Sequence, residues 1–282
     1  MSGTAPAPAR RRGSGAARPR AAIMAFPGAN GEIDAARAVE RAGGTAEIVV
    51  IRNLTASMLA QSVADAARAI DGCQMLILPG GFSCGDEPDG SAKFMTAFFR
   101  NSRLTDCVHS LLKKRDGLVL GICNGYQALV KLGLAPFGEI TPPDAGNPTL
   151  AHNTIGRHMA GYVYTRVSSV RSPWMSQCRV GEVYAVPISH GEGRFVVSEE
   201  LFARLLANEQ IASQYTDAHG NPSMSIDTNP NGSYMAVEGI FSPDGRVFGK
   251  MGHIERRGEF VGKNIYGNKH QPIFDSGVGY YT

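Results

Sequence analysis

The chain has 282 residues, 43% of them hydrophobic, with a formal net charge of +3, which is enough length for one large α/β domain or two small ones. No apolar run approaches the ~20 residues that span a bilayer, so we expect no membrane partner. The five cysteines are odd in number and include no Cys-x-x-Cys pair, which argues against a disulfide framework or a zinc site and favours a cytoplasmic, reducing location.

The N-terminal residues 1–20 carry five arginines and no acidic residue, among mostly Ala, Gly, Pro and Ser. This composition offers too little apolar surface to offset the entropy of ordering, so we predict a disordered tail. Since five of the 28 basic residues lie there, residues 21–282 hold 23 basic and 25 acidic residues. An organelle-targeting peptide or a nucleic-acid-binding arm is an alternative, but a solvated extension or a linker remnant is the simpler interpretation.

From residue 21 onward, short apolar runs alternate with longer amphipathic stretches. The runs at 21–26, 47–51, 75–78 and 118–120 predict strands, and the stretches at 33–42, 55–70, 93–100, 106–114 and 126–132 predict helices. Strands separated by helices form parallel sheets with helices on both faces. We therefore predict an α/β fold with a doubly wound, mostly parallel sheet.

After Pro136 the pattern changes to short strands and turns. Strands are predicted at 161–170, 182–188, 195–198, 212–215, 234–241 and 246–250, with a hairpin loop at 225–233. The C-terminal half thus adds extra short strands to the fold. The final segment, 256–282, contains three glycine turns and several aromatic residues, and we expect it to wrap around the surface.

The most informative stretch is residues 121–127 (GICNGYQ), which joins the predicted strand at 118–120 to the helix at 126–132. Cys123 lies between two glycines there, as the serine does in the Gly-x-Ser-x-Gly nucleophile elbow. A thiol at a helix N-terminus is favoured as thiolate by the backbone N–H groups and the macrodipole. A buried apolar cysteine is the alternative, but the glycine-flanked turn favours a nucleophile.

A thiolate nucleophile needs a base, and the base needs a group that orients it. His253 and Glu255 follow the predicted strand at 246–250. If that segment is extended, residues two apart point the same way, so the carboxylate lies beside the imidazole. An exposed His/Glu pair on a loop is the alternative, but the cysteine elbow favours a catalytic pair.

The Pro-Gly-Gly turn at 79–81 follows another predicted strand and is either only a turn or an oxyanion hole. Acyl transfer produces a tetrahedral oxyanion, and backbone N–H groups stabilise it where absent side chains allow close approach. We assign the N–H of Gly81 or Phe82, together with that of Asn124. Both this turn and Cys123 follow the carboxyl ends of strands, where sites on parallel sheets lie.

Four motifs occur in order: LPGGFS at 78–83, GICNGYQ at 121–127, SHGEG at 189–193 and HIE at 253–255. Together they resemble the triad-type (class I) glutamine amidotransferases, and among these the glutaminases of phosphoribosylformylglycinamidine (FGAM) synthases. The segments 26–30 (FPGAN) and 273–278 (IFDSGV) also resemble the C-terminal glutaminase domain of the long form of that synthase. One departure is Gly31, where a cysteine other than the nucleophile is expected.

The resemblance implies a flavodoxin-like, type 1 glutamine amidotransferase domain over residues 21–282. Its catalytic triad would be Cys123, His253 and Glu255. A second group of residues would hold the α-amino and α-carboxylate groups of L-glutamine; these are Gln127, Ser189, His190, Gly191 and Glu192.

The resemblance also implies that ammonia passes to an ATP-dependent synthase that converts formylglycinamide ribotide to formylglycinamidine ribotide in purine biosynthesis. That partner would be a large subunit, with or without a small accessory subunit, and ATP and magnesium are expected on it. Residues 245–251 (GRVFGKM) are one residue short of a P-loop and lack Ser/Thr after the lysine. We therefore expect neither cofactor nor metal on this chain. Four aromatic residues near the C-terminus either contact that partner or cover the core: Tyr266, Phe274, Tyr280 and Tyr281.

Three other functions stay open. A stand-alone cysteine hydrolase or deglycase of similar fold would share the elbow but would not need Gln127 or the segment 189–193. A non-catalytic regulator descended from an amidotransferase would not need to retain the triad. A nucleic-acid binder is disfavoured, because the folded part has no basic, aromatic-lined motif.

Overall fold

The computed structural model describes residues 18–85 and 90–282. The strands in these ranges are β1 (Arg20–Ala25), β2 (Thr45–Val50), β3 (Met75–Leu78), β4 (Leu118–Ile122), β5 (Thr149–His152), β6 (Met159–Val167), β7 (Val183–His190), β8 (Glu192–Val196), β9 (Ile211–Thr216), β10 (Val237–Phe241) and β11 (Val247–Lys250). The helices are α1 (Glu32–Arg41), α2 (Ala56–Gly72), α3 (Lys93–Phe99), α4 (Ser102–Lys113), α5 (Asn124–Leu132), α6 (Leu134–Phe137), α7 (Glu199–Ala207) and α8 (Ile273–Gly279).

The predicted disordered tail, residues 1–20, lies outside the described residues except for its last three. Arg20 is the first residue of β1, and its backbone N–H donates to the side chain of Gln74 at 2.8 Å. Arg20 thus belongs to the folded domain rather than to the tail in which the prediction placed it.

One half of the main sheet is parallel. β1 pairs with β2 and β3, β3 pairs with β4, and β4 pairs with β11, all in parallel. Parallel crossovers are right-handed, so α1, which leads from β1 outward to β2, lies on the opposite face from α2, which returns across β1 to β3. The predicted doubly wound sheet with helices on both faces is thus confirmed.

The other half of the sheet is antiparallel and consists of the extra C-terminal strands. It continues from β11 through β10, β9, β6 and β7, which pair antiparallel in that order. β5 and β8 form a separate antiparallel pair. The candidate site lies where the two halves meet, at the carboxyl ends of β3, β4 and β11.

Burial explains why the central strands lack a polar/apolar alternation. Every residue of β3 and β4 is buried, because helices cover both faces of the sheet there. β2 lies at the edge of the sheet, and most of its residues are exposed. The uninterrupted apolar runs of the sequence therefore mark the strands that carry the site.

Four short elements are absent from the sequence-based prediction: β5, α6, α7 and α8. α7 begins directly where a predicted strand ends, and Ser198 caps it by accepting a hydrogen bond from the Leu201 N–H at 3.2 Å. Two glutamates in its first turn complement the helix dipole. The sequence contains this capping pattern, but the prediction placed Ser198 at the end of a strand and included no helix after it.

The final segment does not simply wrap around the surface. Phe274 and Tyr281 are 3% and 1% exposed, and the Tyr281 hydroxyl donates to the backbone carbonyl of Gln74 at 2.9 Å. The alternative that they contact a partner is therefore wrong for these two residues, which cover the domain's own core. Tyr280 is half-buried, whereas Tyr266 is 80% exposed. Within the described ranges, no helix has the length and hydropathy needed to cross a bilayer.

Candidate active site

Cys123 occupies a strained turn between β4 and α5. Its backbone has φ 52° and ψ −105°, a conformation that costs a non-glycine residue on the order of 1–3 kcal/mol and recurs at functional sites. The flanking glycines make the turn sterically feasible. A Cβ on Gly125 would overlap the carbonyl oxygen of Leu78, and one on Gly121 would lie 2.7 Å from the carbonyl oxygen of Gly125. The predicted strand–turn–helix elbow is present.

The position of this thiol is fixed from two sides. The Cys123 backbone N–H donates to the carbonyl of Lys250 on the neighbouring strand β11 at 2.9 Å. Its sulfur lies 3.8 Å from the carbonyl oxygen of Ser189, and the side chain is only 3% exposed. Cys123 therefore faces a pocket rather than bulk solvent.

Sheet register brings His253 to the same place. β11 runs parallel to β4 with Lys250 opposite Ile122, so both strands end at one edge and are followed there by His253 and Cys123. A Cβ on Gly80 would lie 2.6 Å from Cε1 of His253 and 3.4 Å from Cβ of Cys123. The imidazole and the thiol thus flank the same glycine.

His253 and Glu255 form a buried pair. The imidazole Nδ1 and the Glu255 Oε1 are 2.6 Å apart, and both residues are 1% exposed. The segment is a turn, and the His253 N–H anchors it by donating to the carbonyl of Pro187 at 2.8 Å. The two side chains therefore meet as expected, although the extended backbone on which that expectation was conditional is not present.

The surroundings favour a charged imidazole. Burial by itself lowers the pKa of His253, but the Glu255 carboxylate and the Cys123 side chain outweigh burial and raise it to about 9. Nε2 is buried and has no hydrogen-bond partner among the described residues. Glu255 thus holds the ring through Nδ1, and Nε2 is available for proton transfer.

One of the two candidate N–H donors of the Gly-Gly turn is already engaged. The Phe82 N–H donates to the carbonyl of Gly28 at 2.9 Å, whereas Gly81 lines the pocket beside Cys123 with φ +144°. A Cβ on Gly81 would lie 2.6 Å from the Gly28 carbonyl oxygen. The side chain of Asn124 accepts a hydrogen bond from the Ser83 N–H at 3.2 Å and so ties the elbow to this turn.

A cavity of about 300 Å³ opens above Cys123. Its lining includes every residue that the sequence assigns to glutamine binding, namely Gln127, Ser189, His190, Gly191 and Glu192. The Gln127 side-chain NH₂ donates to the backbone carbonyl of Glu192, and the Gln127 side-chain oxygen accepts from Asn124 at 2.9 Å. Gln127 thus connects the elbow helix α5 to the segment that contains Glu192.

His190 is a neutral histidine inside this cavity wall. It is 1% exposed, and neither ring nitrogen has a hydrogen-bond partner among the described residues. Burial lowers the pKa of His190 to about 3, and the neighbouring imidazoles of His253 and His158 act in the same direction. It therefore cannot replace His253 as a proton donor near neutral pH.

A glutamine amidotransferase family model, described as the CobB/CobQ-like glutamine amidotransferase domain, matches residues 18–281. The chain belongs to this family. The match covers nearly the whole described part, including the elbow, the Gly-Gly turn and the His253–Glu255 turn.

Named relatives of this amidotransferase agree with each other. A Methanococcus maripaludis protein named phosphoribosylformylglycinamidine synthase subunit PurQ is 33% identical over 243 residues, which are 84% of this chain and 82% of that protein. A Rhodospirillum rubrum protein of the same name is 34% identical over 83% of this chain and 88% of its own length. The solved structure titled PurLQS from Thermotoga maritima has a chain with a TM-score of 0.67 and 25% identity, covering 94% of this chain and 100% of that chain.

One wall of the cavity in this amidotransferase consists of residues that were not predicted from the sequence. His152 lines it from the end of β5, and Arg157 and His158 line it from the connection to β6. His158 Nε2 lies 3.1 Å from the Ser189 hydroxyl, and the His158 ring centre lies 5.9 Å from that of Phe82. His158 therefore connects two sides of the pocket opening. These residues belong to no recognised motif, and β5 itself was not predicted.

A buried ion pair, also not predicted from the sequence, lies close to the turn that contains His253 and Glu255. Lys250 and Glu238 are both 0% exposed, with Nζ and Oε1 3.6 Å apart, and Lys250 also donates to Gln271 at 2.6 Å. Glu238 accepts from the Gly252 N–H at 2.7 Å, directly before His253. Burial lowers the pKa of Lys250, and Glu238 opposes that effect. The pair thus fixes the strand end and the turn that present His253.

Proposed function

We propose that this chain is the glutaminase subunit of an FGAM synthase, which hydrolyses glutamine and delivers ammonia for the conversion of formylglycinamide ribotide to formylglycinamidine ribotide. The observation that carries the proposal is that Cys123, on a strained elbow, and His253, in a buried pair with Glu255, both lie beside Gly80. Membership of the amidotransferase family and the names of the relatives support the substrate and the pathway.

In the first step, the Cys123 thiolate attacks the side-chain amide carbon of glutamine. The amide oxygen becomes an oxyanion, which the N–H groups of Gly81 and Asn124 stabilise, each donor contributing about 3 kcal/mol. The prior hydrogen bond of the Phe82 N–H to Gly28 favours Gly81 for this role. Collapse of the tetrahedral intermediate breaks the C–N bond, and His253 Nε2 gives its proton to the leaving ammonia.

In the second step, water attacks the γ-glutamyl thioester. Neutral His253 now accepts a proton from that water, the C–S bond breaks, and Cys123 leaves as thiolate while glutamate is released. Glu255 stays ionised and orients the ring through both steps, as the third group of a triad does.

Glutamine recognition falls to the far wall of the cavity. The Glu192 carboxylate, held by the Ser91 N–H at 2.9 Å, is the anionic group available for the α-ammonium. Gln127 fixes the backbone of Glu192, and the segment 189–191 supplies polar backbone atoms around the α-carbon. The neutral ring of His190 closes the pocket beside the reacting thiol.

The ammonia acceptor is proposed to lie on a second chain. That chain is an ATP-dependent FGAM synthase large subunit, with or without a small accessory subunit, which holds ATP and magnesium. The relatives' names support the existence of a partner chain, because they designate one subunit of a phosphoribosylformylglycinamidine synthase. A cytoplasmic location suits this chemistry, since reducing conditions keep Cys123 as a thiol.

The test compares glutamine with ammonium as the nitrogen donor. In the complex, Cys123→Ala should abolish glutamine-dependent synthesis of formylglycinamidine ribotide but leave synthesis from ammonium salts intact. Loss of ammonium-driven synthesis as well would contradict the proposed division of labour. A stand-alone hydrolase or deglycase would instead cleave peptide or aldehyde adducts and ignore glutamine, which a direct glutamate-release assay detects.

A further inference from the structure

The loop formed by residues 258–269 displays large apolar side chains to solvent. Phe260 is 72% exposed, Val261 is 44% exposed and Tyr266 is 80% exposed. The three residues lie within seven positions of one loop, whereas the exposed apolar residues of an ordinary surface occur singly. A clustered apolar surface of this kind indicates a contact site.

The backbone of the 258–269 loop is nevertheless anchored to β6 and β7. The Tyr164 hydroxyl donates to the Tyr266 carbonyl at 3.2 Å, and the Ala185 N–H donates to the Asn268 carbonyl at 2.7 Å. Gly262 packs so closely on the ring of Tyr162 that a Cβ would clash with its hydroxyl. The loop is thus held in place by its backbone while its apolar side chains point outward, which lowers the ordering cost of binding.

The same region is basic. Residues 256–269 contain four cationic side chains and one carboxylate, Glu259, although residues 21–282 as a whole are slightly acidic. No carboxylate in the described part lies within ion-pair distance of Lys263 or Lys269. Lys263 instead lies 5.3 Å from the centre of the Phe260 ring. A partner that fits this loop must combine acidic side chains with apolar pockets.

The loop is continuous with the catalytic turn. A second cavity, of about 260 Å³, is lined by His253 and Arg256 together with Val261, Lys263 and Lys269 of the loop. A chain seated on the loop would therefore lie against the turn that presents the catalytic histidine. Transfer of ammonia without loss to water requires that the partner chain lie this close to the catalytic turn.

A competing apolar surface lies elsewhere. Val50 of β2 is 61% exposed and Leu54 is 86% exposed, but β2 is at the opposite edge of the sheet from β7. That surface has no continuity with His253. It is therefore the weaker candidate and supplies a matched control.

We propose that the 258–269 loop is the docking surface for the ATP-dependent synthase subunit, with Phe260 and Tyr266 as apolar anchors and Lys263 and Lys269 facing an acidic surface on that subunit. This inference rests on the proposed function, because it takes the synthase as the partner.

The test measures binding of the full chain to the FGAM synthase large subunit from the same genome. Phe260→Ala/Tyr266→Ala should weaken Kd at least about thirtyfold, the effect of losing interface anchors. Val50→Ala/Leu54→Ala should leave Kd within about twofold. Lys263→Glu/Lys269→Glu should slow association about tenfold at low salt and flatten its salt dependence. Unchanged glutamine hydrolysis by the free variants verifies that they are folded.

The outcomes distinguish failure of the docking surface from failure of the proposed function. If the wild-type chain binds the synthase and both loop variants bind equally well, the docking surface is wrong but the proposed function stands. If the wild-type chain hydrolyses glutamine yet never binds the synthase, the proposed function fails, and the docking surface fails with it.

Discussion

Glu255→Gln is the sharpest perturbation of the proposed triad, because it removes one negative charge and keeps the shape of the side chain. The carboxylate lies 2.6 Å from Nδ1 of His253 in a site that is 1% exposed. The amide oxygen can still accept the Nδ1–H hydrogen bond, so the ring stays oriented. The change therefore isolates the electrostatic contribution of Glu255.

The magnitude follows from the pKa of His253. A rise from 6.5 to about 9 corresponds to about 3 kcal/mol in favour of the charged ring. A neighbouring opposite charge typically accounts for a pKa change of about 1–3. Glu255→Gln should therefore lower the pKa of His253 to between about 6 and 8. Above that pKa the variant lacks the proton that the leaving ammonia needs.

The assay is the pH dependence of kcat/KM for glutamine hydrolysis. The basic limb should lie near pH 9 in the wild-type protein, and it should move down by about 1–3 pH units in Glu255→Gln. His253→Ala, the matched comparison, should lose several orders of magnitude at every pH, because nucleophile and base act as a unit. A basic limb that stays near pH 9 in a folded Glu255→Gln protein would refute the electrostatic role assigned to Glu255.

The same pKa predicts how stability depends on pH. Because the folded-state pKa of His253 lies above its unfolded value, its contribution is fully present below pH 6.5 and is lost as pH rises through about 9. Urea unfolding of the wild-type protein should lose up to about 3 kcal/mol from this group across that range. Glu255→Gln should lose much less across the same range.

Three further predictions concern the scaffold. Lys250→Met should destabilise the protein by about 3–5 kcal/mol in urea unfolding, because it leaves the buried Glu238 charge without a partner. The double variant Glu238→Gln/Lys250→Met should recover most of that stability. Equal losses in the single and the double variant would contradict a compensated ion pair. Gly125→Ala should prevent proper folding of the elbow, since its Cβ overlaps the Leu78 carbonyl, and a soluble variant with wild-type melting temperature and activity would disprove the steric requirement. Removal of residues 1–17, which leaves β1 intact, should change neither the melting temperature nor glutamine hydrolysis, and a large drop in melting temperature would show that the tail stabilises the fold.

The sequence alone determined the features that depend on near neighbours. The fully apolar runs at β3 and β4 indicated buried parallel strands, because such strands show no polar alternation. Cys123 was identifiable because a strand, a glycine-flanked turn and a helix follow each other within about fifteen residues. The glutamine-binding segment 189–193, by contrast, came only from a family resemblance, since its residues have no spacing that requires this chemistry.

Only the tertiary structure decided which distant groups meet. Cys123 and His253 are 130 positions apart in sequence and come together because β11 pairs in parallel with β4 at a particular register. The hydrogen bond from Phe82 to Gly28, the cavity wall of His152, Arg157 and His158, and the burial of Phe274 likewise depend on long-range packing. Short-range patterns constrain φ, ψ and burial over a few residues, whereas strand register and side-chain contacts across the sheet are set by the packing of the whole chain.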